Sequence, residues 1–304
     1  MIFELPPCDE VIAASLAEDL GVDAARLLPP AASDAALLER DVTSAACVPT
    51  DALFSGRVVA RQDGVVCGLP VVARLFDVLA RAVGSASVEC FPLVAEGAEV
   101  PAGTAVMDLV GPARTVLAGE RAALDFLMVL SGIATEARRW QAAAGDALVV
   151  TDTRKTLPGL RALSKYAVRV GGAANHRSGL FDMVLIKDNH IGHAGGVTAA
   201  VRAAAAVSPG LLVACEADTL DQAVEAAQAG ADVILLDNMG DADLARAAGA
   251  VRETSASLRR TCLIEASGGI ELDRLPALAR AGVDRASTSA LTLAPPIDFA
   301  LDAD

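Results

Sequence analysis

LLVACEADTLDQAVEAAQAGADVILLDN, residues 211–238, reads as strand, helix, strand: LLVACEAD, then TLDQAVEAAQAG, then DVILLDN. The strands are short apolar runs, and the helix between them carries a face of small residues. A unit of this length predicts parallel pairing of its two strands. Further strand candidates lie on both sides: ALVVTDT (147–153), DMVLIKD (182–188), TCLIEAS (261–267) and DRASTS (284–289). ELDRLPALARAG (271–282) supplies another helix. So many units in one run predict an α/β barrel.

Upstream of Asp146 the pattern differs. Residues 9–20 predict a short amphipathic helix, and a Pro/Ala/Ser linker follows at 29–35. FSGRVVARQDGVVCGLP (54–70) and VECFPLVAEGAEVPAGTAVMDLVG (88–111) are β-branched runs cut by turn residues. VVARLFDVLARAV (71–83) lies between them with helical spacing. The segment 96–111 has the outline of a biotinyl or lipoyl carrier, but such a carrier needs a lysine at its exposed turn. None precedes Lys155, so only the shape is shared. Gly119 to Ala143 predicts one long helix with Leu124, Leu127, Met128, Leu130 and Ile133 on its apolar face. Arg121 would sit in its first turn, where a cation is disfavoured by roughly 0.3–1 kcal/mol unless something anionic meets it.

Charge is distributed unevenly. The chain carries a formal net charge of −14. Its three lysines, Lys155, Lys165 and Lys187, all fall within residues 151–190. That stretch holds seven Lys/Arg against three acids, so it is cationic within an acidic protein. Such a concentration predicts an anion site. The acidic balance, with one Trp and one Tyr, argues against nucleic-acid binding. The six cysteines show no metal-ligand spacing and read as small hydrophobes in a reducing compartment. No export signal is legible in MIFELPPCDEVIAASLAEDL, and no apolar run reaches the roughly 18 residues of a membrane span. A cytoplasmic, membrane-free protein is expected.

Each predicted strand runs into polar residues: Arg154-Lys155, Lys187-Asp188, Glu216, Asp237-Asn238, Ser267-Gly268-Gly269, and Ser287-Thr288-Ser289. In a barrel these carboxyl ends meet on one face. Arg154, Lys155, Arg177 and Lys187, with His176, form a cationic half suited to carboxylates or phosphates. Glu216 and Asp237 form an acidic half of the kind that holds Mg²⁺ beside a substrate phosphate. The Gly/Ser turns offer backbone N–H groups for a phosphate. Arg161, Lys165 and Arg169 read as one solvated helix face. His190 and His193, with Asp188, read as hydrogen-bonded loop residues rather than a metal cluster. Lys187 alone would also fit a Schiff-base lysine, and an anion sensor without catalysis would use the same cations.

DTRKTLPGLRALSKYAVRVGGAANHRSGLFDMVLIKDNHI (152–191) closely resembles the signature of the quinolinate phosphoribosyltransferases, a type II phosphoribosyltransferase family. ERAALDFLMVLSGIAT, CEADTLDQA, VILLDNM, IEASGGI and STSALTLAPPIDFALD extend the match, and DVTS at 41–44 is a weaker echo. The resemblance implies an N-terminal α/β sandwich at 1–118 and a seven-stranded α/β barrel at 119–290. A tail at 291–304 would pack back on the first domain.

It also implies decarboxylating transfer of phosphoribose from phosphoribosyl pyrophosphate (PRPP) to quinolinate, with Mg²⁺, in NAD biosynthesis. Lys155, Lys187, Glu216 and Asp237 would be the catalytic residues. Arg121, Thr153, Arg154, Lys155, His176, Arg177 and Lys187 would bind substrate, Arg121 reaching across a homodimer. Glu216 and Asp237 would hold ribose hydroxyls and Mg²⁺. Ser267, Gly268, Gly269, Thr288, Ser289 and Ala290 would take the 5′-phosphate. Asp125, Leu157 and Ala173 depart from the family's usual asparagine, threonine and glycine.

Overall fold

The computed structural model describes residues 3–304; Met1 and Ile2, which open the stretch read for an export signal, lie outside it. The chain forms two compact units. One comprises Met1–Glu136, Leu157–Gly171 and Leu293–Asp304, the other Ala137–Thr156 and Gly172–Thr292. No helix among the described residues is long and apolar enough to cross a membrane.

In chain order the elements begin with α1 (Asp9–Leu20), α2 (Val42–Cys47), β1 (Leu53–Ala60), β2 (Gly64–Val65), α3 (Leu69–Val83) and β3 (Glu89–Pro92). Next come β4 (Glu99–Val100), β5 (Ala105–Pro112), α4 (Ala113–Ala144), β6 (Val149–Thr151), α5 (Arg161–Val170) and β7 (Val184–Ile186). Then follow α6 (Asp188–Ala194), α7 (Val197–Val207), β8 (Val213–Ala217), α8 (Leu220–Ala229) and β9 (Val233–Asp237). The last are α9 (Asp241–Ser257), β10 (Leu263–Ser267), α10 (Leu275–Arg280), β11 (Arg285–Ser287) and β12 (Phe299–Ala303).

The first unit is built on a four-stranded antiparallel sheet in the order β12-β1-β5-β3. Helix α3 turns Val72, Leu75, Phe76 and Leu79 into its core. Glu96 holds the start of that helix: its carboxylate accepts the N–H groups of Gly68 (2.7 Å) and Leu69 (3.1 Å) and the Tyr166 hydroxyl (2.9 Å). Burial nevertheless pushes the Glu96 carboxyl above its usual range.

Helix α4 begins at Ala113, directly after the Pro112 that ends β5, and not at Gly119 as the sequence predicts. Gly119 is a packing glycine inside the helix, because a Cβ there would lie 2.8 Å from Phe76 Cε1. On α5 the expected solvated cationic face is also corrected. Arg161 and Arg169 are exposed, but Lys165 is buried, since its neighbours Leu163, Tyr166, Ala167 and Val168 draw most of this short helix inside.

The second unit is a six-stranded parallel sheet ordered β6-β11-β10-β9-β8-β7. The quoted segment behaves as it reads. Thr219 caps α8 by accepting the Gln222 N–H, and Gly230, at φ 102°, ends it in the left-handed conformation. The buried face of α8 is Ala223, Ala226 and Ala227, small enough for close approach to the sheet. A bridge between Thr151 and Ala174 adds residues around 174 as a seventh segment on the β6 edge.

Strand periodicity then sorts the side chains. Val233 and Leu235 join Met183 and Ala214 in a buried cluster, with Leu185 and Leu263 packed against it. Asp237 follows in the same register as Leu235, and Ser267 in the same register as Leu263 and Glu265. Apolar side chains therefore fill most of the interior, with Glu265 as a buried acid among them, and polar ones emerge at the carboxyl ends.

Candidate active site

Residues from every strand end, and from the loop after Ala174, line one cavity of about 480 Å³. A sheet whose two edge segments contribute to the same cavity has wound round on itself, as a barrel does. The cationic side of the lining is Arg154, Lys155, His176, Arg177 and Lys187; the acidic side is Glu216 and Asp237, and Asp152 is a third acid in the lining. Thr153, Asn238, Ser267, Gly268, Gly269 and Ser287 complete the polar surface.

The loop carrying His176 and Arg177 is fixed from below. Asp152 is fully buried and accepts the His176 N–H (2.8 Å) and the Asn175 amide (2.7 Å). His176 Nδ1 in turn accepts the Arg177 N–H at 2.8 Å, so the neutral ring carries its proton on Nε2. Nε2 lies 3.3 Å from Oε1 of Glu265, a wholly buried acid on β10. On the other side Asp182 accepts the N–H groups of Ser178 (2.7 Å) and Gly179 (3.1 Å), which closes the loop.

The cations are not balanced within the protein. Among the described residues, Arg154, Lys155 and Arg177 form no ion pair. Burial, and then the neighbouring Arg154 charge, hold the Arg177 guanidinium below its usual value. Like charges left facing each other in a half-closed cavity define a receptor for an anion. Lys187 differs: its ammonium pairs with Glu216 at 2.9 Å and is nearly half exposed. A nucleophilic amine is instead desolvated or set beside another cation.

Beside the two acids Asn238 adopts φ 51° and donates its N–H to the Ser267 carbonyl at 3.0 Å. Gly268, at φ 82°, abuts the Asn238 side chain so closely that any Cβ would collide with it. Backbone N–H groups here can approach a ligand without side-chain obstruction.

Glu216 and Asp237 offer hard oxygen donors. No group of three or more His, Cys, Asp or Glu among the described residues could hold a metal alone. Two carboxylates suit Mg²⁺, which takes its other ligands from water and substrate phosphate.

Some sequence-predicted residues stand elsewhere. Ser287 lines the cavity, whereas Thr288, Ser289 and Ala290 are not in its lining. Thr288 is buried, with its N–H on the Thr151 carbonyl at 3.0 Å. Arg121 belongs to the other unit, exposed on α4 and paired with Asp125 at 2.9 Å. His190 and His193 lie on α6 rather than in a loop. His190 Nδ1 accepts the Lys187 N–H, and His193 Nδ1 lies 2.8 Å from the Asn189 carbonyl. Of the departures, Leu157 is exposed and Ala173 buried. Sequence reasoning missed Asp152 and Glu265. Leu263, Glu265 and Ser267 share a strand face by alternation, which was the available signal for Glu265.

Two carboxylates and three cations without ion pairs, at the mouth of a wound parallel sheet, define an α/β-barrel protein that receives polyanionic small molecules. The model of the quinolinate phosphoribosyl transferase N-terminal domain matches residues 41–131, and that of the C-terminal domain matches 133–302. The chain belongs to the quinolinate phosphoribosyl transferase family. It is 43% identical to a probable nicotinate-nucleotide pyrophosphorylase [carboxylating] of Synechocystis sp., over 81% of each chain. It is 41% identical to the human nicotinate-nucleotide pyrophosphorylase [carboxylating], over 80% of each. The crystal structure of NadC from Streptococcus pyogenes superposes with a TM-score of 0.84 at 32% identity, covering 98% of this chain and 97% of that one.

Proposed function

We propose that the chain is a decarboxylating quinolinate phosphoribosyltransferase, converting quinolinate and PRPP to nicotinate mononucleotide, pyrophosphate and CO₂. The observation that carries this is the sharing of one cavity by three cations without ion pairs and by two carboxylates on neighbouring strands. A dicarboxylate satisfies the first set; a ribosyl diphosphate with its cation satisfies the second.

Arg154, Arg177 and Lys187 grip the two quinolinate carboxylates, with Lys155 shared with the phosphoribosyl end. The His176 ring, its Nδ1 on the Arg177 N–H and its Nε2 facing Glu265, sets the loop that carries Arg177 rather than binding a carboxylate itself. Arg forks hold each carboxylate in one orientation, which aims the ring nitrogen at the anomeric carbon. Glu216 and Asp237 orient the ribose hydroxyls, and the glycine turn with Ser267 receives the 5′-phosphate. Glu216 and Asp237 would hold Mg²⁺, which would supply positive charge to offset that on the departing pyrophosphate. The bond from the anomeric carbon to pyrophosphate oxygen breaks, and the pyridine nitrogen forms the new bond. The quaternised ring accepts the electron pair as the adjacent carboxylate leaves as CO₂, and the ring carbon then takes a proton. Electrostatic preorganisation is the protein's main contribution.

The working form is a cytoplasmic homodimer in which Arg121 is donated to the partner's cavity. Incubation with quinolinate, PRPP and Mg²⁺ tests the activity, with CO₂ and nicotinate mononucleotide released in equal amounts. Absence of both products from folded protein would reject it.

A further inference from the structure

Glu265 is a charged side chain 1% exposed in the barrel interior, and its Oε1 has no hydrogen-bond partner of good geometry. Leaving a carboxylate so placed is costly, so the fold must gain something from it elsewhere. Its strand neighbours are Leu235, in the buried cluster, and Arg285, which forms no ion pair with it among the described residues. Its ion-pair partner among the described residues is His176, whose Nε2 lies 3.3 Å from Oε1. That imidazole also takes the Arg177 N–H on Nδ1 and lines the cavity. Glu265, His176 and the Arg177 backbone thus form a chain from the barrel floor to the cationic half.

We infer that Glu265 is a positioning residue for the dicarboxylate half of the site. It fixes the plane of the His176 ring through Nε2–H, and through Nδ1 the height of the Arg177 backbone. The reach of Arg177 into the cavity follows. Glu265 touches no substrate. The role rests on the quinolinate reading above and extends it to a residue in the layer beneath the ligand.

Two variants of nearly equal size separate the contact from simple packing. Glu265→Gln keeps an acceptor for Nε2–H, and Glu265→Met removes it. Glu265→Met should raise the KM for quinolinate about tenfold or more, as loss of a buried hydrogen-bond partner does. The KM for PRPP should hold within about twofold, and Glu265→Gln should restore most of the quinolinate KM. In a His176→Ala background the difference between Met and Gln at position 265 should disappear, because the effect travels through the imidazole.

Proton NMR of ¹⁵N-histidine protein gives a readout independent of turnover, and with only three histidines the assignment is short. The Nε2–H of His176 should be seen in wild type and Glu265→Gln and lost in Glu265→Met. Wild-type protein without turnover but with that proton present would reject the quinolinate reading and leave the contact standing. An active wild type whose Glu265→Met variant keeps its quinolinate KM, or raises both KM values equally, would overturn the inference itself.

Discussion

The ammonium of Lys187 and the carboxylate of Glu216 lie 2.9 Å apart and join the two chemically opposite halves of the cavity. In the free protein each satisfies the other; on the proposed function Lys187 would turn to a substrate carboxylate and Glu216 to the ribose and Mg²⁺. Lys187 is 45% exposed, so the pair should add little to folding. Lys187→Met should therefore change unfolding free energy by about 1 kcal/mol or less, while lowering kcat/KM for quinolinate by about 100-fold or more. Urea melts beside steady-state kinetics would check this. A loss of stability matching the loss of activity would assign the pair to the fold instead.

Arg177 and Arg154 repel each other, and the Asp182 charge offsets burial and that repulsion only in part. Arg177→Ala should leave the ligand-free protein as stable as wild type or more so, and quinolinate binding should be lost. Quinolinate at 100 times its Kd should stabilise wild type by about 2.7 kcal/mol and the variant by nothing measurable. Thermal melts with and without the ligand decide the matter; a variant protected as well as wild type would remove Arg177 from the site.

Glu96 gives a pH signature separate from the cavity. Burial outweighs its donors and lifts the folded-state carboxyl above the ordinary range. The folded protein therefore holds this proton more tightly than the unfolded chain does. Its stabilising contribution is complete below the unfolded value and is lost as pH rises through the folded one. Glu96→Gln cannot titrate, so its stability should lack that portion of the decline between acid and neutral pH. Parallel stability curves for the two proteins would contradict the assignment.

The same physical features decide what was legible before any coordinates. Regular alternation of apolar strands with alanine-faced helices announced the parallel sheet, and the polar exits of those strands announced the cavity. Local sequence signals failed where packing overrode them. Gly119 reads as a helix start, yet it sits inside α4 because Phe76 leaves no room for a side chain. Lys165 reads as solvated from its cationic spacing, but its helix is mostly buried. Glu265 hides in an apolar run; its alternation with Leu263 and Ser267 was the one local hint, and the pairing of β10 with its neighbours places the acid beneath the site.

Selectivity should come from charge count. Nicotinate lacks the second carboxylate and would leave enclosed cations unmatched, each charged hydrogen bond being worth about 1.5–3 kcal/mol. Turnover with nicotinate should fall at least tenfold below that with quinolinate under matched conditions. Comparable rates in a competition assay would mean that the cationic half does not count carboxylates.

A crystal structure of the protein with quinolinate, Mg²⁺ and an unreactive PRPP analogue is the most direct trial of the central claim. Both ring carboxylates should lie within hydrogen-bonding distance of Arg154, Arg177 and Lys187, with the sugar diphosphate against Glu216 and Asp237. Density for either ligand outside this cavity, or a dicarboxylate seated beside the two acids, would contradict it.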